Sequence, residues 1–65
     1  MRIQVNGAWR ETGAAQVAAA LEDFGYGDSI VSTALNGEFV AAGERGATPL
    51  REGDRLEVLA PMQGG

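Results

Sequence analysis

The dipeptide Asn-Gly stands twice in this chain of 65 residues, at positions 6–7 and 36–37. Both residues tolerate the positive φ that a two-residue type I′ turn requires, so each pair predicts a β-hairpin. Ile3 and Val5 alternate with Arg2 and Gln4 ahead of the first turn. Ala8 to Glu11 or Thr12 then returns antiparallel. Ile30 to Leu35 leads into the second turn, and Glu38-Phe39-Val40 is its short return.

Between the hairpins the period changes. Val17, Leu21 and Phe24 recur at four and three residues and share one helical face. Alanines at 14, 15, 18, 19 and 20 raise helix propensity, and Gly25 fits the stop position after the last turn. These signals predict a helix over 15–24. Residues 41–50, with Gly43, Gly46 and Pro49, read as a loop with room for one helical turn. Arg51 to Asp54 is a turn, and Arg55 to Leu59 is the last strand, with Leu56 and Val58 facing one way. The expected core is Ile3, Val5, Val17, Leu21, Phe24, Val31, Leu35, Leu50, Leu56 and Val58. Residues 1–59 form the expected domain, and 60–65 a flexible C-terminal tail ending in Gly-Gly. The element order ββαβββ resembles a β-grasp, the ubiquitin-like α+β architecture, in which one helix crosses a mixed sheet of about five strands. That resemblance, and not the periodicity, places the last strand between the first and third, parallel to the first.

Composition excludes much. The chain contains neither cysteine nor histidine. Disulfides, thiolate metal sites, cysteine nucleophiles and imidazole bases are therefore absent, and no Ser-His-Asp or Cys-His arrangement can form. The acidic residues show no ligand-like spacing, so no bound metal is expected. Nine acidic residues against five arginines give a net charge of −4. Without a basic cluster the chain is ill suited to nucleic acid and better suited to basic protein surfaces. No apolar run approaches the roughly 20 residues of a membrane span, and the N-terminal stretch alternates like a strand instead of a signal peptide. The cytoplasm is the expected compartment.

Three segments carry a closer resemblance: Ile3-Gln4-Val5-Asn6-Gly7, Leu35-Asn36-Gly37-Glu38-Phe39-Val40, and Thr48 through Gly65 with its Gly-Asp turn, strand and Met-Gln-Gly-Gly end. With the element order and the length, they make the chain similar to the ThiS family, the ubiquitin-like sulfur carriers of thiamine biosynthesis. The resemblance implies that the chain is no enzyme but a protein co-substrate. The Gly65 carboxylate would be adenylated and converted to a thiocarboxylate, with Gly64 as its permissive neighbour and Pro61, Met62 and Gln63 as contacts in the enzyme's channel. The implied partners are an E1-like adenylating enzyme of the ThiF type, which uses ATP and Mg²⁺, a cysteine desulfurase as sulfur source, and a thiazole synthase of the ThiG type. No cofactor would be bound by the carrier itself. Glycine suits the role, because without Cβ the backbone approaches other groups closely and the carbonyl is open to attack.

Strand parity adds a candidate docking face. Across the two turns Val5 pairs with Ala8 and Leu35 with Glu38, so Gln4 faces Trp9 and Ala34 faces Phe39. With Ile3, Val5, Leu56 and Val58 toward the helix, Trp9, Phe39 and Leu59 fall on the open side. A bulge in the second strand would instead return Trp9 to the core, and the unbulged register turns Arg10 inward. Other functions stay open at this level. They are a sulfur carrier for molybdopterin or another pathway, a protein-modifying tag whose lack of lysine forbids self-linked chains, and a β-grasp interaction module with an incidental tail.

Overall fold

Each Asn-Gly pair closes the hairpin it predicts. Asn6 and Gly7 have φ of 51° and 86°, and Asn36 and Gly37 have 52° and 86°, the left-handed pair of a type I′ turn. The structure, a computed structural model, describes residues 1–27 and 29–60. The first turn joins β1 (Arg2–Val5) to β2 (Ala8–Glu11), and the second joins β3 (Ser32–Leu35) to β4 (Glu38–Val40). The expected registers hold, with Val5 opposite Ala8 and Leu35 opposite Glu38. The last strand, β5 (Arg55–Leu59), lies parallel to β1 and antiparallel to β3. The sheet order β2-β1-β5-β3-β4, crossed by a single helix, is the β-grasp.

Helix α1 runs Val17–Asp23, shorter than the 15–24 expected. Alanine propensity is overridden at the start by pairing with residues 48–50. The Leu50 N–H donates to the Ala15 carbonyl and the Val17 N–H to that of Thr48, while Gln16 is extended at φ −150°. Gln16 then caps the helix, its Oε1 accepting from the Ala19 N–H at 2.7 Å. The stop follows the expected chemistry. Gly25 adopts φ 89°, and the N–H groups of Gly25 and Tyr26 donate to the carbonyls of Glu22 and Leu21.

β3 also starts later than Ile30. Its last pair with β5 is Ser32 with Leu59, and β4 ends at Val40 opposite Thr33, so Ile30 and Val31 have no strand beside them. The Val31 carbonyl is taken instead by Arg45 Nη2 at 2.6 Å. The same guanidinium donates through Nε to Thr33 Oγ1 at 3.0 Å and so ties the 3₁₀ turn Ala42–Ala47 to the sheet. This is the helical turn expected within residues 41–50.

The core lies between α1 and one face of the sheet. Ile3, Val5, Val17, Leu21, Leu50, Leu56 and Val58 are buried as expected. Phe24, Val31 and Leu35 pack against this cluster while remaining partly exposed, and Ala14, Ala20 and Val40 are buried without having been expected there. A seven-residue helix covers only part of a five-stranded sheet, so the larger side chains at its margins stay partly exposed, while Ala20 on the helix and Ala14 just before it are small enough to be sealed. Arg10 does turn toward the helix side. β2 is an edge strand, and the guanidinium reaches past the core to lie 4.7 Å from the Phe24 ring centroid.

Candidate functional site

The open face of the sheet is built by parity. Side chains that alternate with the buried Ile3, Val5, Leu56 and Val58 point away from α1, and no bulge interrupts the β1–β2 register. Trp9, Phe39 and Leu59 are accordingly exposed, at 51%, 73% and 67%. The alternative of a core Trp9 is thereby settled.

The three are not equivalent. Trp9 stands on β2 and Phe39 on β4, the two outer strands, about 19 Å apart at four strand spacings of about 4.8 Å. Trp9 is partly covered by Arg2, whose guanidinium carbon lies 4.7 Å from its ring centroid. Phe39 and Leu59, in contrast, border one shallow depression of about 220 Å³. The small side chains of Ser32 and Ala34 form its floor, and Glu57 stands at its side. On the other side of Leu59 a second depression of about 240 Å³ is bordered by Ile30 and Ala60. Among the described residues Ile30, at 83%, is the most exposed large apolar side chain. The structure thus joins Phe39, Leu59 and Ile30 into an apolar strip at the end of β5 and leaves Trp9 apart.

Ile30 is the residue that sequence reasoning missed. It shares the parity of Ser32 and Ala34, the open-face residues of β3, and that signal was available. The strip ends where the chain leaves the sheet, at Leu59 and Ala60. Pro61, Met62, Gln63, Gly64 and Gly65, the expected reactive tail, lie outside the described residues. Among the described residues no group of three acidic side chains is placed to hold a metal ion, and no helix is long and apolar enough to cross a membrane.

A β-grasp body with an apolar strip on its open face, and with its middle strand leading into the C-terminal segment, defines a small ubiquitin-like domain. The ThiS family model matches residues 3–65. The chain therefore belongs to the ThiS family, the small sulfur carriers of thiamine biosynthesis. It is similar to the thiamine biosynthesis protein ThiS of Geobacter metallireducens, known from a crystal structure. The identity is 32%, all of both chains is covered, and the TM-score is 0.84. It is also similar to the solution structure of a thiamine biosynthesis protein from Geobacter metallireducens, at 30% identity and a TM-score of 0.79. That match covers the whole of this chain and 88% of the other. Among curated proteins, none matches the chain.

Proposed function

We propose that the chain carries sulfur as a thiocarboxylate on Gly65 and delivers it, in the cytoplasm, to a thiazole synthase. The observation that carries the proposal is the family match, which runs through the Gly-Gly end of a β-grasp whose middle strand leads directly into it. A main-chain carboxylate has an ordinary pKa of about 3.3–3.7 and is ionised at neutral pH, which makes it a poor electrophile. An E1-like enzyme would activate it: the carboxylate attacks the α-phosphorus of Mg²⁺-bound ATP and displaces pyrophosphate. A desulfurase persulfide then attacks the acyl carbon and expels AMP, and a second thiol cleaves the sulfur–sulfur bond to leave the thiocarboxylate. Every catalytic group in this scheme belongs to the partners, in keeping with a chain without histidine or cysteine.

Intact-mass spectrometry tests the proposal. After incubation with a ThiF-type enzyme, ATP and a sulfur source, the mass rises by the difference between sulfur and oxygen, and fragmentation places the change at Gly65. A mass change elsewhere, or none, ends the proposal.

The exposed apolar residues of the open face supply the hold. Phe39 and Leu59 stand beside the root of the tail, where a partner must approach, with Trp9 at the far margin of the same face. Phe39→Ala and Leu59→Ala raise KM for the carrier in adenylation by about 5–30-fold, the effect of removing an interface anchor worth about 1–2 kcal/mol. Trp9→Ala raises it less, about 2–5-fold, because Arg2 already covers part of the ring. Unchanged KM in both Trp9→Ala and Leu59→Ala removes the face from the account.

A further inference from the structure

β5 carries the tail, yet its hold on β1 is short. The parallel ladder has two pairs, Gln4 with Arg55 and Val5 with Leu56. Its backbone bonds run from the Gln4 N–H to the Asp54 carbonyl and from the Asn6 N–H to the Leu56 carbonyl. In a longer parallel strand the next β1 residues would offer a carbonyl to the Val58 N–H and an N–H to the Val58 carbonyl. They cannot, because the chain turns away at Asn6 with φ 51°.

The Asn6 side chain fills both places. Its Oδ1 accepts from the Val58 N–H at 2.8 Å, and its Nδ2 donates to the Val58 carbonyl at 3.0 Å. Since the Val58 N–H can only donate, it fixes which end of the carboxamide faces it. The primary amide acts here as a substitute peptide unit and extends the ladder one step toward the tail.

Asn36, in the equivalent position of the other turn, does the same kind of work at the other end of β5. Its Oδ1 accepts from the Arg55 N–H at 2.9 Å and its Nδ2 donates to Asp54 Oδ1 at 3.1 Å. The two asparagines thus fasten opposite ends and opposite edges of one strand. Of the two, Asn6 fastens the end from which the tail departs, on the β1 edge, while β3 pairs with Val58 and Leu59 on the other.

We infer that Asn6 is a positioning residue for the reactive end: its carboxamide fixes Val58, and with it the point and direction at which the tail leaves the sheet. The inference rests on the carrier reading. Leu59 follows Val58 directly, so the same two bonds also hold the apolar strip in register with the tail. Gly65 lies seven residues beyond Val58, a reach of at most about 25 Å. Without these two bonds Val58 and Leu59 are held from the β3 edge alone, opposite Thr33 and Ser32, and the end of the strand takes up a wider range of directions. A partner that binds the face and the tail together then meets a broader set of arrangements, and binding weakens before chemistry does.

The test compares Asn6→Gly with Asn36→Gly. Glycine keeps the type I′ turn in both and removes one carboxamide from each. With the adenylating enzyme and ATP, Asn6→Gly raises KM for the carrier by about 3–10-fold, the worth of two modest hydrogen bonds, and leaves kcat within about twofold. Hydrogen exchange at the Val58 amide accelerates alongside, while Asn36→Gly leaves both KM and Val58 exchange as in the parent chain. Asn6→Asp keeps the turn and the acceptor but sets a carboxylate oxygen against the Val58 carbonyl, so it shifts KM in the same direction and supplies the test should the double glycine fail to fold. An Asn6→Gly chain with unchanged KM, or an equal rise in Asn36→Gly, overturns the inference while the parent chain is still adenylated. A parent chain that accepts no adenylate defeats the carrier reading itself, and the inference falls with it.

Discussion

A chain lacking Gly64 and Gly65 folds as the parent does and forms no detectable thiocarboxylate. The body is indifferent to the cut, because the core side chains all lie between Ile3 and Val58. The chemistry is not. Removing two residues withdraws the terminal carboxylate by about 7 Å, and misplacement of a reacting group by even 1 Å can cost about 10²-fold. The expected loss in thiocarboxylate formation therefore exceeds about 10²-fold, with an unchanged thermal midpoint. A chain extended by one residue that no protease removes fails equally, since its carboxylate is displaced in the other direction. Intact mass after incubation with enzyme, ATP and sulfur source reads both. Thiazole formation supported by either variant would refute the carrier mechanism.

The second large effect is on the fold. Leu56 is fully buried on β5, the middle strand, and packs in the same cluster as Ile3, Val17 and Leu21. Leu56→Ala removes its transfer energy and leaves a cavity, a loss of about 2–5 kcal/mol. A 65-residue chain has about 3–10 kcal/mol in all, at about 0.05–0.15 kcal/mol per residue. The variant keeps a fraction of that, and its thermal midpoint falls by at least about 10 °C. Leu59→Ala, three residues further on the opposite face and solvent-exposed, shifts the midpoint by little. The pair of melts distinguishes the inward face of β5 from its outward face, and equal midpoints would show the assigned parity to be wrong.

How much of this was legible in the sequence depends on how local the cause is. Asn6-Gly7 and Asn36-Gly37 fix turn type and register through their own backbone preferences, and from the register followed the exposure of Trp9, Phe39 and Leu59. Gly25 stopped the helix for a reason contained in four neighbouring residues. The failures are non-local. The helix start was set by the pairing of residues 15–17 with 48–50, more than thirty positions away. The start of β3 was set by where β5 and β4 end, and the release of Ile30 from the strand followed from it. The central place of β5 came from resemblance, since alternation in Leu56 and Val58 says that a strand is half-buried and not which strands flank it. The role of Asn6 beyond its turn was likewise invisible, because its partner Val58 lies 52 residues on. The expectation of a reactive tail comes from its chemistry and from the family resemblance, and Pro61 to Gly65 lie outside the described residues.

The position of β5 also bears on how the protein is made. The last of the five described strands to be synthesised is the one that must enter between β1 and β3. Until it emerges, the two hairpins have no common partner, and the helix has half a surface to cover. Folding therefore waits for translation to pass Leu59, with the slow closure of long-range pairings that this demands. A nascent chain abandoned before Arg55 cannot complete the sheet and is left to proteases. The fold thus acts as its own check on synthesis, since a polypeptide that has passed into the folded pool has been made at least as far as β5.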